Sequence, residues 1–169
     1  MIEIRGVTFG FDGEQLEPQQ AAQRLYKAGF KDAKVLAIMW AILEGESARY
    51  LKAWHHNVAR DDDGSIIRDD IGRFAVKSTD LGFIQRNVVH SPPKKVTDAE
   101  SPVFVESLFT ANPDLARGDK SAEIAFALYQ DRGYQPWYAY SNRGYRRHRE
   151  AACSAVREYL RVVFGLRRG

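Results

Sequence analysis

The longest apolar run of the chain, residues 35–43, constrains everything else about its fold. It is far shorter than the roughly 20 residues a bilayer span needs. Val35, Leu36, Met39, Trp40, Ile42 and Leu43 recur at helical spacing in a stripe wide enough to call for a buried helix, and Asp32 stands where its N-cap belongs. The rest of the chain must therefore wrap this helix. With 169 residues, 44% of them hydrophobic, there is enough sequence for one full core and not for two, so a single domain over residues 1–169 is expected. The lone cysteine, Cys153, excludes an intramolecular disulfide and a cysteine-based zinc site. Set among alanines, it reads as a small buried residue.

Around the apolar run the pattern is mostly helical. Glu17-Pro18 opens a helix over 18–27 that Gly29 stops. Ala122, Ala125, Phe126 and Tyr129 form a stripe ending at Gly133, and residues 146–166 read as a long final helix. Residues 1–16 alternate as a peripheral strand or hairpin arm. Residues 61–90, with Asp63-Gly64 and strand-prone Ile66, Ile67, Ile71, Phe74 and Val76, form a small β-rich excursion. Ser91-Pro92-Pro93 marks a loop, and Ala111-Asn112-Pro113-Asp114 a turn with a short helix after it. No internal repeat is evident. The expected class is α+β, mostly helical, with a small antiparallel sheet as a lobe on one side.

Charge excludes little. The net charge is +3, but Arg143, Arg146, Arg147, Arg149, Arg157, Arg161, Arg167 and Arg168 crowd the end of the chain, and Asp61, Asp62, Asp63, Asp69 and Asp70 crowd its middle. The basic end suits a polyanion or a solvated helix face alike. The acidic stretch lacks the spacing of a calcium loop and reads as an exposed turn. His55 and His56, taken as neighbours on a helix, diverge too far to share an ion, and no metal or other cofactor is expected. Met1 to Phe11 lacks the features of a secretory signal.

Chemistry is concentrated where the apolar helix ends. Glu44 and Glu46 follow directly on the run, and a carboxyl in so apolar a setting has the raised pKa that a general acid at neutral pH requires. Either glutamate also fits a solvated helix end. What distinguishes them is Ala41-Ile-Leu-Glu-Gly-Glu46-Ser47, which resembles the helix followed by Glu-Ser that carries the catalytic glutamate in the lysozyme and lytic transglycosylase superfamily. Residues 78–87, Ser-Thr-Asp-Leu-Gly-Phe-Ile-Gln-Arg-Asn, are similar to the Ser-Thr-Asp-aromatic-Gly-apolar-apolar-Gln-apolar-Asn segment of animal lysozymes and to the Gly-Leu-Met-Gln segment of transglycosylases. Residues 133–145, with Trp137, Tyr140, Asn142 and Gly144, look like the Ala-Tyr-Asn-Ala-Gly segment of transglycosylases, with Ser141 inserted. The resemblance spans residues 18–145.

By that resemblance Glu46 is the general acid and Asp80 the second carboxylate, which also fits a turn aspartate before Gly82. Gln85, Gly82, Tyr140, Trp137 and Thr79 would bind or position substrate or water: Gln85 lining the groove, Gly82 permitting close approach, Tyr140 holding the acid, Trp137 stacking on sugar or packing in the core. The implied activity is a muramidase, a peptidoglycan-degrading glycosidase cleaving between N-acetylmuramic acid and N-acetylglucosamine. The alternatives are a lytic transglycosylase, a non-enzymatic wall-binding domain on the same fold, and a nucleic-acid binder built on the basic end. The expected partner is the peptidoglycan glycan strand, with no nucleic acid and no membrane insertion. A monomer is expected, made in the cytoplasm and acting on the wall after release, as a bacteriophage endolysin does.

Overall fold

The computed structural model describes residues 4–165, so Arg167 and Arg168 and the end of the expected final helix lie outside the described residues. The chain is α+β. Its strands β1 (Ile4–Arg5), β2 (Phe9–Gln15), β3 (Tyr50–Val58), β4 (Phe74–Leu81) and β5 (Arg86–Val96) form one antiparallel sheet in sequential order. Helices α1 (Pro18–Ala28) and α2 (Ala33–Ser47) interrupt the sheet after β2. Helices α3 (Glu100–Ala111), α4 (Gly118–Arg132), α5 (Tyr138–Ser141) and α6 (Arg149–Val163) follow it, with short 3-10 segments at Pro113–Ala116 and Gly144–His148.

The apolar run is the centre of the core. Leu36, Met39, Trp40, Ala41, Ile42 and Leu43 of α2 are all buried, and α1, α5, α6 and the Gly144–His148 segment pack around them. Asp32 caps this helix, its carboxylate accepting from the N–H groups of Lys34 and Val35 at 2.9 Å. At the far end Ser47 donates its hydroxyl to the Leu43 carbonyl and accepts the Arg49 N–H. Ala48 and Arg49 then adopt left-handed backbone (φ 47° and 67°), which turns the chain out of α2 directly into β3. Gly29 ends α1 and Gly133 ends α4. Among the described residues no helix is long and apolar enough to cross a membrane.

Several sequence expectations are corrected. The first strands are built into the sheet: β1 forms its edge, and β2 pairs with β3, which places Phe9 and Phe11 beside a cleft that Trp54 and His55 of β3 also line. His55 and His56 lie on strand β3, where alternation sends them to opposite faces. Ser91-Pro92-Pro93 is no loop but part of β5, an edge strand whose outer side needs no ladder N–H, so prolines are tolerated. Cys153 is exposed, because α6 turns its Ala152, Ala155 and Val156 face to the core and leaves residue 153 on the flank.

The acidic stretch hides an eight-residue repeat, residues 60–67 followed by 68–75. In each copy the aspartate after the arginine accepts a hydrogen bond from the N–H four residues on (Ser65 to Asp61, Arg73 to Asp69). The preceding arginine donates to the glycine carbonyl (Arg60 to Gly64, Arg68 to Gly72). The identities shared by the copies are the turn-forming ones, Arg, Asp, Asp and Gly.

Candidate active site

Glu46 and Glu44 part at the end of α2. Glu44 is held by Arg49, whose Nε lies 2.6 Å from its carboxylate and whose guanidinium also reaches the Leu16 carbonyl. Glu46, two residues on, points the other way into a cleft of about 570 Å³ lined by Phe9, Phe11, Trp54, His55, Asn57, Asp80, Gln85 and Tyr138. Its Oε1 accepts the Ala139 N–H at the start of α5. Burial pushes the Glu46 carboxyl above its ordinary range, and the charge of Asp80 pushes the same way. The Ala139 N–H, the His55 ring and the Tyr138 backbone oppose without reversing this.

Asp80 stands on β4, and strand register assembles its surroundings. His55 of β3 and Asn87 of β5 are its direct cross-strand partners, and Asn57 pairs with Ser78 one step along the same face. Asn87 donates to Asp80 Oδ1 at 2.8 Å and Asn57 to Oδ2 at 3.1 Å, while both amides also bond Ser78 Oγ. The His55 ring lies 3.8 Å from Oδ2. Burial alone would raise the Asp80 pKa, but His55, Asn87 and Asn57 outweigh it and hold the carboxyl below its usual range. Two carboxyls thus share one cleft, one biased toward its protonated form and the other toward its anion.

No family model, curated protein or solved structure matches the chain.

The other expected site residues divide. Gln85 lines the cleft, in left-handed backbone (φ 53°) with its amide donating to the Gly82 carbonyl. Thr79 does not reach the cleft. One position from Asp80 on the strand, it faces the opposite side of the sheet, fully buried, with its hydroxyl between His56 Nδ1 (2.9 Å) and His90 Nε2 (3.0 Å). Gly82 is required by a close approach of protein rather than sugar: at φ 78°, a Cβ there would sit 2.2 Å from the Leu115 carbonyl oxygen. Trp137 is core, its indole N–H donating to the Ile84 carbonyl, which ties the segment before α5 to the β4–β5 turn. Tyr140 is half-buried against the rings of Tyr134 and Tyr145 (centroids 5.0 and 5.4 Å) and does not line the cleft.

Residue types alone passed over His55, Asn57, Asn87, Phe9 and Phe11, which need β2, β3, β4 and β5 in register to come together. Of the aromatic residues at 137–145, Tyr138 and not the expected Trp137 lines the cleft, and it is 73% exposed. With Phe9 and Phe11 it offers ring faces suited to the apolar faces of sugars.

Proposed function

We propose that the chain is a lysozyme-type glycosidase that cuts bacterial cell-wall glycan between N-acetylmuramic acid and N-acetylglucosamine. The observation that carries the reading is the opposed pair in one open cleft: Glu46 kept protonatable by burial and Asp80 kept ionised by two amides and an imidazole. That division suits the two roles of glycoside cleavage. Glu46 gives its proton to the bridging oxygen as the bond from that oxygen to the anomeric carbon breaks. Asp80 stabilises the positive charge that develops on the sugar, or takes the anomeric carbon in a covalent bond. Glu46, now ionised, then draws a proton from the water that completes hydrolysis. Choice of the wall polymer rests on the resemblance of residues 41–47, 78–87 and 133–145 to lysozymes and transglycosylases. The ionised Asp80 favours hydrolysis over transglycosylation.

The test is mass spectrometry of purified peptidoglycan digested by the wild type and by Glu46→Gln in parallel. Reducing ends made by the wild type and not by the variant are expected. Anhydro ends would reassign the chain to transglycosylase chemistry, and intact glycan from the wild type across several wall types would overturn the reading.

A further inference from the structure

A groove of about 450 Å³ runs between α2 and α6, at the opposite end of α2 from Glu46. Ala37 and Ile38 of α2 and Val156 and Leu160 of α6 give it an apolar floor, and it stays open because Ala33, Ala37 and Cys153 have small side chains. Helix α6 thus has two apolar sides, one turned to the core through Ala152, Ala155 and Tyr159 and one turned to the groove. The second side runs on past the groove. Val163 and Phe164, three and four residues beyond Leu160, are 45% and 62% exposed.

The rim is cationic. Lys34, Arg149, Arg157 and Arg161 line the groove, and no carboxylate does. The three arginines, with Cys153, stand at four-residue spacing and so share one side of α6. Arg161 pairs with Glu158, whereas Lys34, Arg149 and Arg157 form no ion pair among the described residues. An apolar floor under unpaired cations is the complement of an anionic amphiphile: guanidinium binds phosphate in two parallel hydrogen bonds, and the floor takes hydrocarbon. A peptide helix seated in the groove would have to set its acids opposite the arginine row and would leave Val163 and Phe164 in water. A lipid surface supplies phosphate at every spacing and takes up the exposed helix end as well.

We propose that the α2–α6 groove and the end of α6 form a docking surface for membranes rich in anionic phospholipid, with the arginine row among the phosphates and Leu160, Val163 and Phe164 at the acyl boundary. The chain lies on such a membrane without crossing it, and this attachment does not depend on the glycosidase reading. The test is sedimentation of the full chain with vesicles of phosphatidylglycerol and phosphatidylcholine against phosphatidylcholine alone, at low and high salt. Alongside it, the rate at which a water-soluble thiol reagent modifies Cys153, the single cysteine, is measured with and without vesicles. Binding to the anionic vesicles alone, weakened by salt, and slower modification of Cys153 on them are expected. Arg149→Ala and Arg157→Ala should each weaken binding about fivefold, and Phe164→Ser should weaken it too. Arg132→Ala, which removes an exposed cation of α4 outside the groove, should bind like the wild type. No binding to anionic vesicles, equal losses from Arg132→Ala and Arg157→Ala, or Cys153 modified as fast on vesicles as in solution would overturn the proposal. So would protection of Cys153 by glycerol phosphate alone, which assigns a small phosphate ester, or by an acidic amphipathic peptide where vesicles give none, which assigns a protein partner. Glycan cleavage is read separately, so failure of the glycosidase reading leaves this result unaffected.

Discussion

Asn87 and Asp80 are direct cross-strand partners on β5 and β4, and the 2.8 Å hydrogen bond between them fixes one oxygen of the carboxylate while Asn57 fixes the other. Replacing either asparagine by alanine frees one oxygen and should raise the Asp80 pKa. The acid limb of the kcat/KM profile should move to higher pH, and kcat should fall about tenfold at the optimum. Both amides also share Ser78 Oγ, so the double variant should lose less than the product of the single losses. Unchanged profiles in both single variants would remove the amides from the site's machinery.

Glu46→Gln should lower kcat by about 10²–10⁴-fold, the usual range for loss of a general acid. Its thermal unfolding midpoint should stay level or rise, because the variant no longer buries an ionisable carboxyl. A midpoint lower by many degrees would mean that Glu46 is chiefly structural.

With Glu46 raised and Asp80 lowered, the productive state, Glu46 protonated and Asp80 ionised, occupies the pH window between them and gives a bell-shaped profile. His55 lowers both pKa values, so His55→Ala should move both limbs to higher pH, which a pH series of initial rates measures directly. Movement of one limb alone would disconnect His55 from the other carboxyl.

His56 is buried between Thr79 and Ser101, its ring nitrogens 2.9 and 3.0 Å from the two hydroxyls, with Trp54, Phe74 and Phe104 around it and His90 beyond Thr79. Burial, with the neighbouring His90 and His55 rings, lowers its pKa from 6.5 to about 4. The unfolded chain then binds the proton more tightly, so stability is full above about pH 6.5 and is lost as pH falls through about 4. The shift corresponds to about 3 kcal/mol in all. Urea unfolding at pH 7 and pH 4 should show a loss of that order, and His56→Gln should flatten the dependence while starting from lower stability.

Gly82→Ala should destabilise by about 2 kcal/mol or more, from left-handed backbone together with collision against the Leu115 carbonyl. Loss of activity should follow loss of fold, with kcat per folded molecule retained near the wild-type value.

What the sequence made legible was local. The capped apolar run of α2, the Gly29 and Gly133 stops and the turn at Asn112-Pro113 each depend on neighbours within a few residues, and each stands where its pattern pointed. Glu46 and Asp80 were accessible because short motifs carried them. Strand β3 escaped notice because Tyr50–Val58 is buried unevenly on both faces and does not alternate cleanly. Its loss concealed the cleft, since His55 and Asn57 sit on it and Phe9 and Phe11 arrive only by pairing with it. Thr79 was misjudged for a related reason: a motif names consecutive residues, whereas a strand sends them to opposite sides.

The hydrogen bond from the Ala139 N–H joins residues 93 apart in the chain and makes Glu46 an anchor for the segment carrying Tyr138, which lines the cleft. An ionised carboxylate grips that N–H more firmly than a neutral carboxyl does. Under the proposed mechanism, this contact would be weaker while the proton sits on Glu46 and stronger once it has left, so the same carboxyl that donates the proton would set how firmly Tyr138 is held.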